Sequence, residues 1–232
     1  MMDGCWGLNR FLWRTTMPGF QGLVSNLRAA ASSPQAWWLA RQSVVRYGAI
    51  QHIDELTEFT RMLQVKPPRV VLEIGTAQGG VFWLLCRLAA PDATLVSLDL
   101  PPDERHSGGQ RISIDLQSIK EPGQTVYVVH GNSHDPGTPD RVAGLLGGRP
   151  LDLLFIDGDH TYEGVSQDYH MYSPLVQAGG IIGFHDIVKT PWPGCQVDRF
   201  WNELAKNASL QPRVIFSRVP SDFGGIGVVT HR

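Results

Sequence analysis

Short apolar runs alternate with amphipathic stretches through the middle of the chain. The runs "RVVLEIG" (69–75), "TLVSLDL" (94–100), "TVYVVHG" (125–131), "LDLLFIDG" (151–158) and "GGIIGFHDI" (179–187) predict buried strands. Between them, "GGVFWLLCRLA", "DRVAGLLGG" and "EGVSQDYHMYSPLVQ" predict helices, and "VDRFWNELAKN" predicts another after the fifth run. "IDELTEFTRMLQ" places Ile53, Leu56, Phe59 and Leu63 at helical spacing with acids expected on the opposite face, and it stops at Pro67–Pro68. A short helical piece is expected around "RISIDLQSIK" (111–120). "PRVIFSRVP" and "GGIGVVTHR" close the chain as an expected hairpin pair. Such alternation predicts a mostly parallel sheet with helices on both faces, and ligands then bind at the carboxyl ends of the strands.

Composition fits one such domain. The chain has 232 residues, 42% hydrophobic and 18% charged, which is globular rather than disordered. A net charge of -2 gives no reason to expect a nucleic-acid partner. Residues 1–50 hold five Arg against one acid, leaving about -6 for the rest, and they carry Trp6, Trp13, Trp37 and Trp38. Residues 1–48 therefore read as a helical N-terminal extension, expected to act as a lid or dimer contact, ahead of a main domain at 49–232. Cys5, Cys86 and Cys195 form no CxxC pair, which favours a reducing compartment. No apolar run approaches the ~20 residues of a membrane span, and charges interrupt the N-terminus where a signal peptide would be apolar; a cytoplasmic protein without stable membrane insertion is the expectation.

Chemistry concentrates at the strand ends. The first strand runs into Glu73, Gly75, Thr76, Gly79 and Gly80, which reads either as a ligand loop or as a tight turn. Its acid lies two residues before the first glycine, and Ala77 occupies the place of a dinucleotide loop's middle glycine. A cationic ligand suits that loop better than a pyrophosphate. Asp99 ends the second strand, as a ribose-binding acid or a helix cap. Asn132 and Ser133 follow the third, beside an adenine or in an Asx-type loop. Asp157 ends the fourth strand and His185–Asp186 the fifth. If those strands are neighbours the three converge, and a divalent cation (Mg, Mn, Fe or Zn) would stabilise them; otherwise His185 caps or packs and Asp186 is a loop acid.

Taken together, "VLEIGTAQGG", "LVSLDLP", "GNSHD", "LLFIDGDHTYEGV", "LVQAGGIIGFHDI" and "FWNEL" resemble class I S-adenosylmethionine-dependent methyltransferases, nearest to the bacterial cephalosporin-hydroxylase and sugar O-methyltransferase type. The resemblance covers roughly residues 50–230. It implies a Rossmann-like, doubly wound α/β fold with a seven-stranded, mostly parallel sheet and an antiparallel C-terminal strand. It also implies that Glu73, Gly75, Thr76 and Gly79 hold the methionine part of S-adenosyl-L-methionine, Asp99 its ribose, and Asn132 and Ser133 its adenine. Asp157, lying between cofactor and cation, would ligate the metal with His185 and Asp186. The expected reaction is O-methylation of a small hydroxylated acceptor, a sugar or natural-product hydroxyl, with Asp157 and His160 catalytic and His160 a neutral general base.

Two positions depart from the family. Metal-dependent relatives carry an acid pair or an acid and asparagine where this chain has His185–Asp186. Catechol-type relatives place a lysine three residues after the first metal acid, and here that register falls on His160. Three rival readings stand beside this one. A nicotinamide oxidoreductase shares the architecture, but the loop spacing and the lack of a Tyr-x-x-x-Lys pair argue against it. An oxidative enzyme of the cephalosporin-hydroxylase group would want two histidines and one acid. A non-catalytic cofactor-binding partner would have no use for both a base and a metal set.

Overall fold

The computed structural model describes residues 33–101, 114–219 and 221–232. Most of the Trp-rich opening segment, with Trp6 and Trp13, and residues 102–113 lie outside the described residues. Strands β1 (Val70–Ile74), β2 (Thr94–Asp99), β3 (Thr125–His130), β4 (Leu151–Ile156), β5 (Val176–His185), β6 (Arg213–Ile215) and β7 (Ile226–Thr230) form one sheet in the order β3-β2-β1-β4-β5-β7-β6. The first five strands run parallel, and β7 is antiparallel to both of its neighbours. This is the seven-stranded, doubly wound arrangement that the resemblance implied.

The helices are α1 (Pro34–Val45), α2 (Ile53–Val65), α3 (Gly80–Leu88), α4 (Thr138–Leu145), α5 (Tyr162–Tyr172) and α6 (Val197–Leu204). Side chains alternate across the pleat, so each inner strand feeds two cores. Val71, Leu153 and Phe155 pack with Leu39, Leu56, Phe59 and Phe82 on one face; Leu72, Leu154, Ile156 and Phe184 pack with Val165, Tyr172, Phe200 and Trp201 on the other. With both faces covered, β1 is buried at all five positions, which is why its sequence is a run rather than an alternation. Each large side chain withdrawn in this way stabilises the fold by about 1.5–3 kcal/mol.

Residues 33–48 share that core. Leu39 and Ala40 of α1 are buried, and Ser43 Oγ donates to the Gly80 carbonyl at 2.8 Å, tying α1 to the start of α3. Gly80 itself allows the close approach, since a Cβ there would stand 2.1 Å from Ala49 N.

Two local expectations differ from the structure. The acids of α2 were expected on its solvent face, yet Asp54 and Glu55 are buried. They receive backbone N–H groups from the C-terminal segment: Arg218 N reaches Asp54 Oδ2 at 2.8 Å, and Gly225 N reaches Glu55 Oε1 at 2.9 Å. The helical piece expected near 111–120 is a series of turns over its described part, residues 114–120. Asp115 Oδ1 accepts from Gln117 N at 2.9 Å, a local bond that competes with helix. Among the described residues no helix is long and apolar enough to cross a membrane.

The chain steps outward from β1 to β2 and β3, then returns to β4 on the other side of β1. Ligands in such sheets bind where the order reverses, outside the carboxyl ends of β1 and β4.

Candidate active site

The loop after β1 is shaped by three left-handed residues, Gly75 (φ 86°), Ala77 (φ 48°) and Gly79 (φ 88°). Gly75 is needed for packing as much as for conformation, because a Cβ there would lie 2.1 Å from the Asp157 carbonyl oxygen. The ends of β1 and β4 are thus in backbone contact. Just before the loop, Glu73 is 1% exposed, and among the described residues its Oε2 has no hydrogen-bond partner. Burial, and then the charge of Asp157, push the Glu73 carboxyl well above the usual carboxylate range. Thr76 faces inward, its Oγ1 2.7 Å from Ser97 Oγ. Asp99 ends β2 and its Oδ2 accepts from Ala77 N at 2.8 Å, so the acid expected to hold a ribose braces the glycine loop.

The loop after β3 is an Asx turn, with Asn132 Oδ1 accepting from His134 N at 2.9 Å. Helix α5 holds it: Tyr172 Oη donates to Ser133 O at 2.8 Å, and His134 Nε2 lies 3.2 Å from the fully buried Asp168 carboxylate. Asn132 and Ser133 therefore sit beside β2 on a braced loop. The hydrogen bond to Asp168 raises the His134 imidazole above its ordinary value, although burial opposes it. A histidine raised on folding adds stability that is fully present below its unfolded value of about 6.5 and is lost as pH rises through the folded one. The stability difference between wild type and His134→Gln, read from urea midpoints, is expected to shrink as pH climbs above about 6.5. A difference independent of pH would remove the pair from that role.

Asp157, His160, His185 and Asp186 meet at the ends of β4 and β5. His160 Nε2 lies 3.4 Å from Asp157 Oδ1 and 3.1 Å from Asp186 Oδ2. From the other side, His185 Nδ1 lies 3.4 Å and 3.5 Å from the same two oxygens. Donor atoms of Asp157, His160 and Asp186 fall within 4.8 Å of one another, as a metal-binding group would. The histidines differ in access: the His185 side chain is 3% exposed and that of His160 12%. Asp186 adopts a left-handed backbone (φ 59°), unusual outside glycine, and Gly224 N secures its Oδ1 at 2.8 Å.

Electrostatics follow from this geometry. Burial opposes charge on His160, but its hydrogen bonds to Asp157 and Asp186 raise its pKa to about 10. Burial likewise opposes charge on His185, and the two aspartates raise it well above the ordinary histidine range. Burial would raise Asp186, yet both imidazoles hold its carboxyl well below the usual range. The imidazoles and the carboxylates therefore favour each other's charged forms, and a neutral His160, the form expected of a base at this position, is the form its two neighbours oppose.

Gln51 and Glu55 join the site from outside the motifs. Gln51 Nε2 donates to Asp157 Oδ2 at 2.7 Å, and Glu55 Oε2 faces His185 Nε2 at 3.9 Å. Both lie in or before a helix whose pattern reads as ordinary packing; an acid adjacent to apolar Leu56 was the sole signal.

A family model described as a methyltransferase domain matches residues 72–187, half of the chain. The chain belongs to this methyltransferase family. The matched span contains every site residue expected from the strand ends, from Glu73 to Asp186, whereas Gln51, Glu55 and Gly224 lie beyond it. An uncharacterized protein of Acanthamoeba polyphaga mimivirus is 30% identical over 123 residues, and the chain spans about half (52%) of that curated relative's length. Two solved methyltransferases share the fold. The O-methyltransferase TomG from Streptomyces achromogenes, in complex with S-adenosylmethionine, superposes with a TM-score of 0.53 at 19% identity, over 100% of this chain and 99% of that one. MycE from the mycinamycin biosynthetic pathway, in complex with Mg, S-adenosylhomocysteine and mycinamycin VI, gives a TM-score of 0.54 at 17% identity over 85% and 54%.

Proposed function

We propose that this methyltransferase domain transfers a methyl group from S-adenosyl-L-methionine to a hydroxyl of a small acceptor, a sugar or natural product, with the help of a divalent cation. The observation that carries the reading is the contact of Gly75 with the Asp157 backbone, which joins the loop after β1 to the carboxylate–imidazole cluster. The residues fit both groups. The buried Glu73 oxygen, without a hydrogen-bond partner among the described residues, suits the ammonium of a methionine moiety, and Asp99 suits a ribose. The facing Asp157 and Asp186 oxygens, with imidazole nitrogens alongside, form a donor set suited to a divalent ion.

The sulfonium donor supplies an electrophilic methyl carbon, and a cation held by Asp157, Asp186 and His185 would acidify the acceptor hydroxyl. Everything else falls to the chain. The strand ends align donor and acceptor for in-line attack, an effect that can reach about 7–11 kcal/mol at best. His160, the more exposed imidazole, would take the hydroxyl proton at Nε2 in its neutral form, after releasing to solvent the proton that Asp157 and Asp186 favour there. Gln51 fixes the Asp157 carboxylate, leaving Oδ1 toward the histidines. The acceptor enters beside Trp192 and Phe223, whose rings stack 6.1 Å apart next to Gly224. Oligomer contacts would form through the N-terminal segment, and the reaction would take place in the cytoplasm.

A second reading takes His160 as the third ligand, since its Nε2 belongs to the group within 4.8 Å. Thermal-shift measurements separate them. S-adenosylmethionine, S-adenosylhomocysteine and divalent cations are expected to raise the Tm, while NAD leaves it unchanged. His160→Ala should keep the cation shift and slow turnover about 10²–10⁴-fold if it is the base, and lose the shift if it is a ligand. No shift with either adenosyl compound would sink the methyltransferase reading for this site.

A further inference from the structure

Glu55 is 1% exposed on α2, a carboxylate sealed inside the protein. Its Oε1 accepts from Gly225 N at 2.9 Å and from Ser217 N at 3.0 Å. Among the described residues its Oε2 has no hydrogen-bond partner, and the same is true of His185 Nε2, the atom 3.9 Å away. A buried anion and a buried ring nitrogen left this way are costly unless something returns the loss. The distance is too long for a hydrogen bond, but a tilt of the ring by about 1 Å brings it within the normal range.

We propose that Glu55 and His185 work as one unit: Glu55 Oε2 accepts a hydrogen bond from His185 Nε2–H, leaving Nδ1 as an imidazole ligand that makes the site prefer a transition-metal ion over Mg. The inference rests on the cation-assisted reading above and adds the identity of the metal class. Glu55 is a positioning residue and touches neither substrate nor cation.

The chemistry of the ring supports this. A neutral imidazole carries one N–H and one lone pair, and the partner of one nitrogen decides which is which. With Nε2–H toward Glu55, the Nδ1 lone pair points at Asp157 Oδ1 and Asp186 Oδ2, 3.4 Å and 3.5 Å away. With no cation bound, a proton on Nδ1 faces both carboxylates, and a cation that displaces this proton is held by all three atoms. Histidines that ligate metals commonly carry a carboxylate on the far nitrogen for this reason. Two consecutive peptides enforce the arrangement, because Gly224 N holds Asp186 at 2.8 Å while Gly225 N holds Glu55 at 2.9 Å. Gly224 also packs on the Glu55 carboxylate, where a Cβ would lie 3.1 Å from Oε1.

Metal preference follows from the donor. Mg demands oxygen ligands and gives up water reluctantly, whereas imidazole suits Fe, Co or Zn. An acid at position 185 would make the set all-oxygen; His185 with Glu55 behind it keeps the negative charge but moves it one residue away from the ion.

The test titrates the full chain with Co, Zn and Mg salts, following the Tm and, for Co, the visible absorption of the bound ion. Wild type is expected to bind Co with a nitrogen-containing ligand field and at least about 10-fold more tightly than Mg. Glu55→Gln, whose amide oxygen still accepts from Gly225 and Ser217, should weaken Co about 10–100-fold and leave the S-adenosylhomocysteine shift in place. His185→Glu should reverse the preference toward Mg, which a merely structural loss would not do; it decides the matter if Glu55→Gln fails to fold. Equal Co and Mg affinities in wild type, or unchanged Co binding in Glu55→Gln, would overturn the proposal while the adenosyl shift keeps the methyltransferase reading. Loss of the adenosyl shift from wild type would remove both.

Discussion

Asp157→Asn is expected to abolish the cation-induced thermal shift and to lower methyl transfer about 10²–10⁴-fold, the effect of losing several kcal/mol of charge stabilisation. The substitution keeps the side-chain volume and an oxygen for Gln51, whose Nε2 reaches Asp157 Oδ2 at 2.7 Å. What it removes is the anion shared by His160 and His185, each 3.4 Å from Oδ1. It also takes away a charge that helps to raise Glu73. Donor affinity should therefore hold or improve while turnover collapses. Calorimetric titration with S-adenosylhomocysteine beside a transfer assay with labelled donor reads the two separately. Normal turnover by Asp157→Asn would show that this carboxylate is structural.

The largest loss of stability is expected from Gly75→Ala. Its φ of 86° disfavours any side chain, and the new Cβ would sit 2.1 Å from the Asp157 carbonyl oxygen and 2.6 Å from Gly158 Cα. The contacts are backbone on both sides, so no rotamer change relieves them. Left-handed conformation costs about 1–2 kcal/mol and overpacking about 1–3, which together take a large part of the stability of an ordinary domain. Gly147→Ala is the control: φ is 62°, but nothing lies within 4 Å of the added Cβ. Only the conformational cost of about 1–2 kcal/mol is then expected. Urea denaturation distinguishes them, and comparable midpoints for the two variants would contradict the close approach of β1 and β4.

Much of this was legible in the sequence because parallel strands buried on both faces leave continuous apolar runs. Their ends are then visible as the first polar residues, which is how Glu73, Asp99, Asp157 and His185–Asp186 could be picked out. The convergence of Asp157 with Asp186 followed from β4 and β5 being neighbours, and they are. Less legible was anything depending on tertiary partners. Glu55 and Asp54 looked like solvated helix acids because periodicity reports one helix face against another, not the distant Ser217, Arg218 and Gly225 that donate to them. Gln51 precedes its helix and belongs to no pattern. His160 reads as a neutral base from its position, whereas the carboxylates that favour its charged form follow two different strands, a sum of long-range contacts that the i, i+3 spacing from Asp157 shows only in part. The helical piece near 115 failed for the opposite reason, a single side chain capturing its own backbone.

Strand β7 bears on how the protein comes to be functional. It is inserted between β5 and β6, and the peptides just before it secure both Asp186 and Glu55. During synthesis the loop after β1 and the ends of β2 and β4 are all made before those peptides emerge. The carboxylates thus exist early, but their arrangement waits for contacts that span about 170 residues (Glu55 to Gly225), the slow part of assembling such a topology. If the cluster binds a cation as proposed, that binding reports the completion of folding.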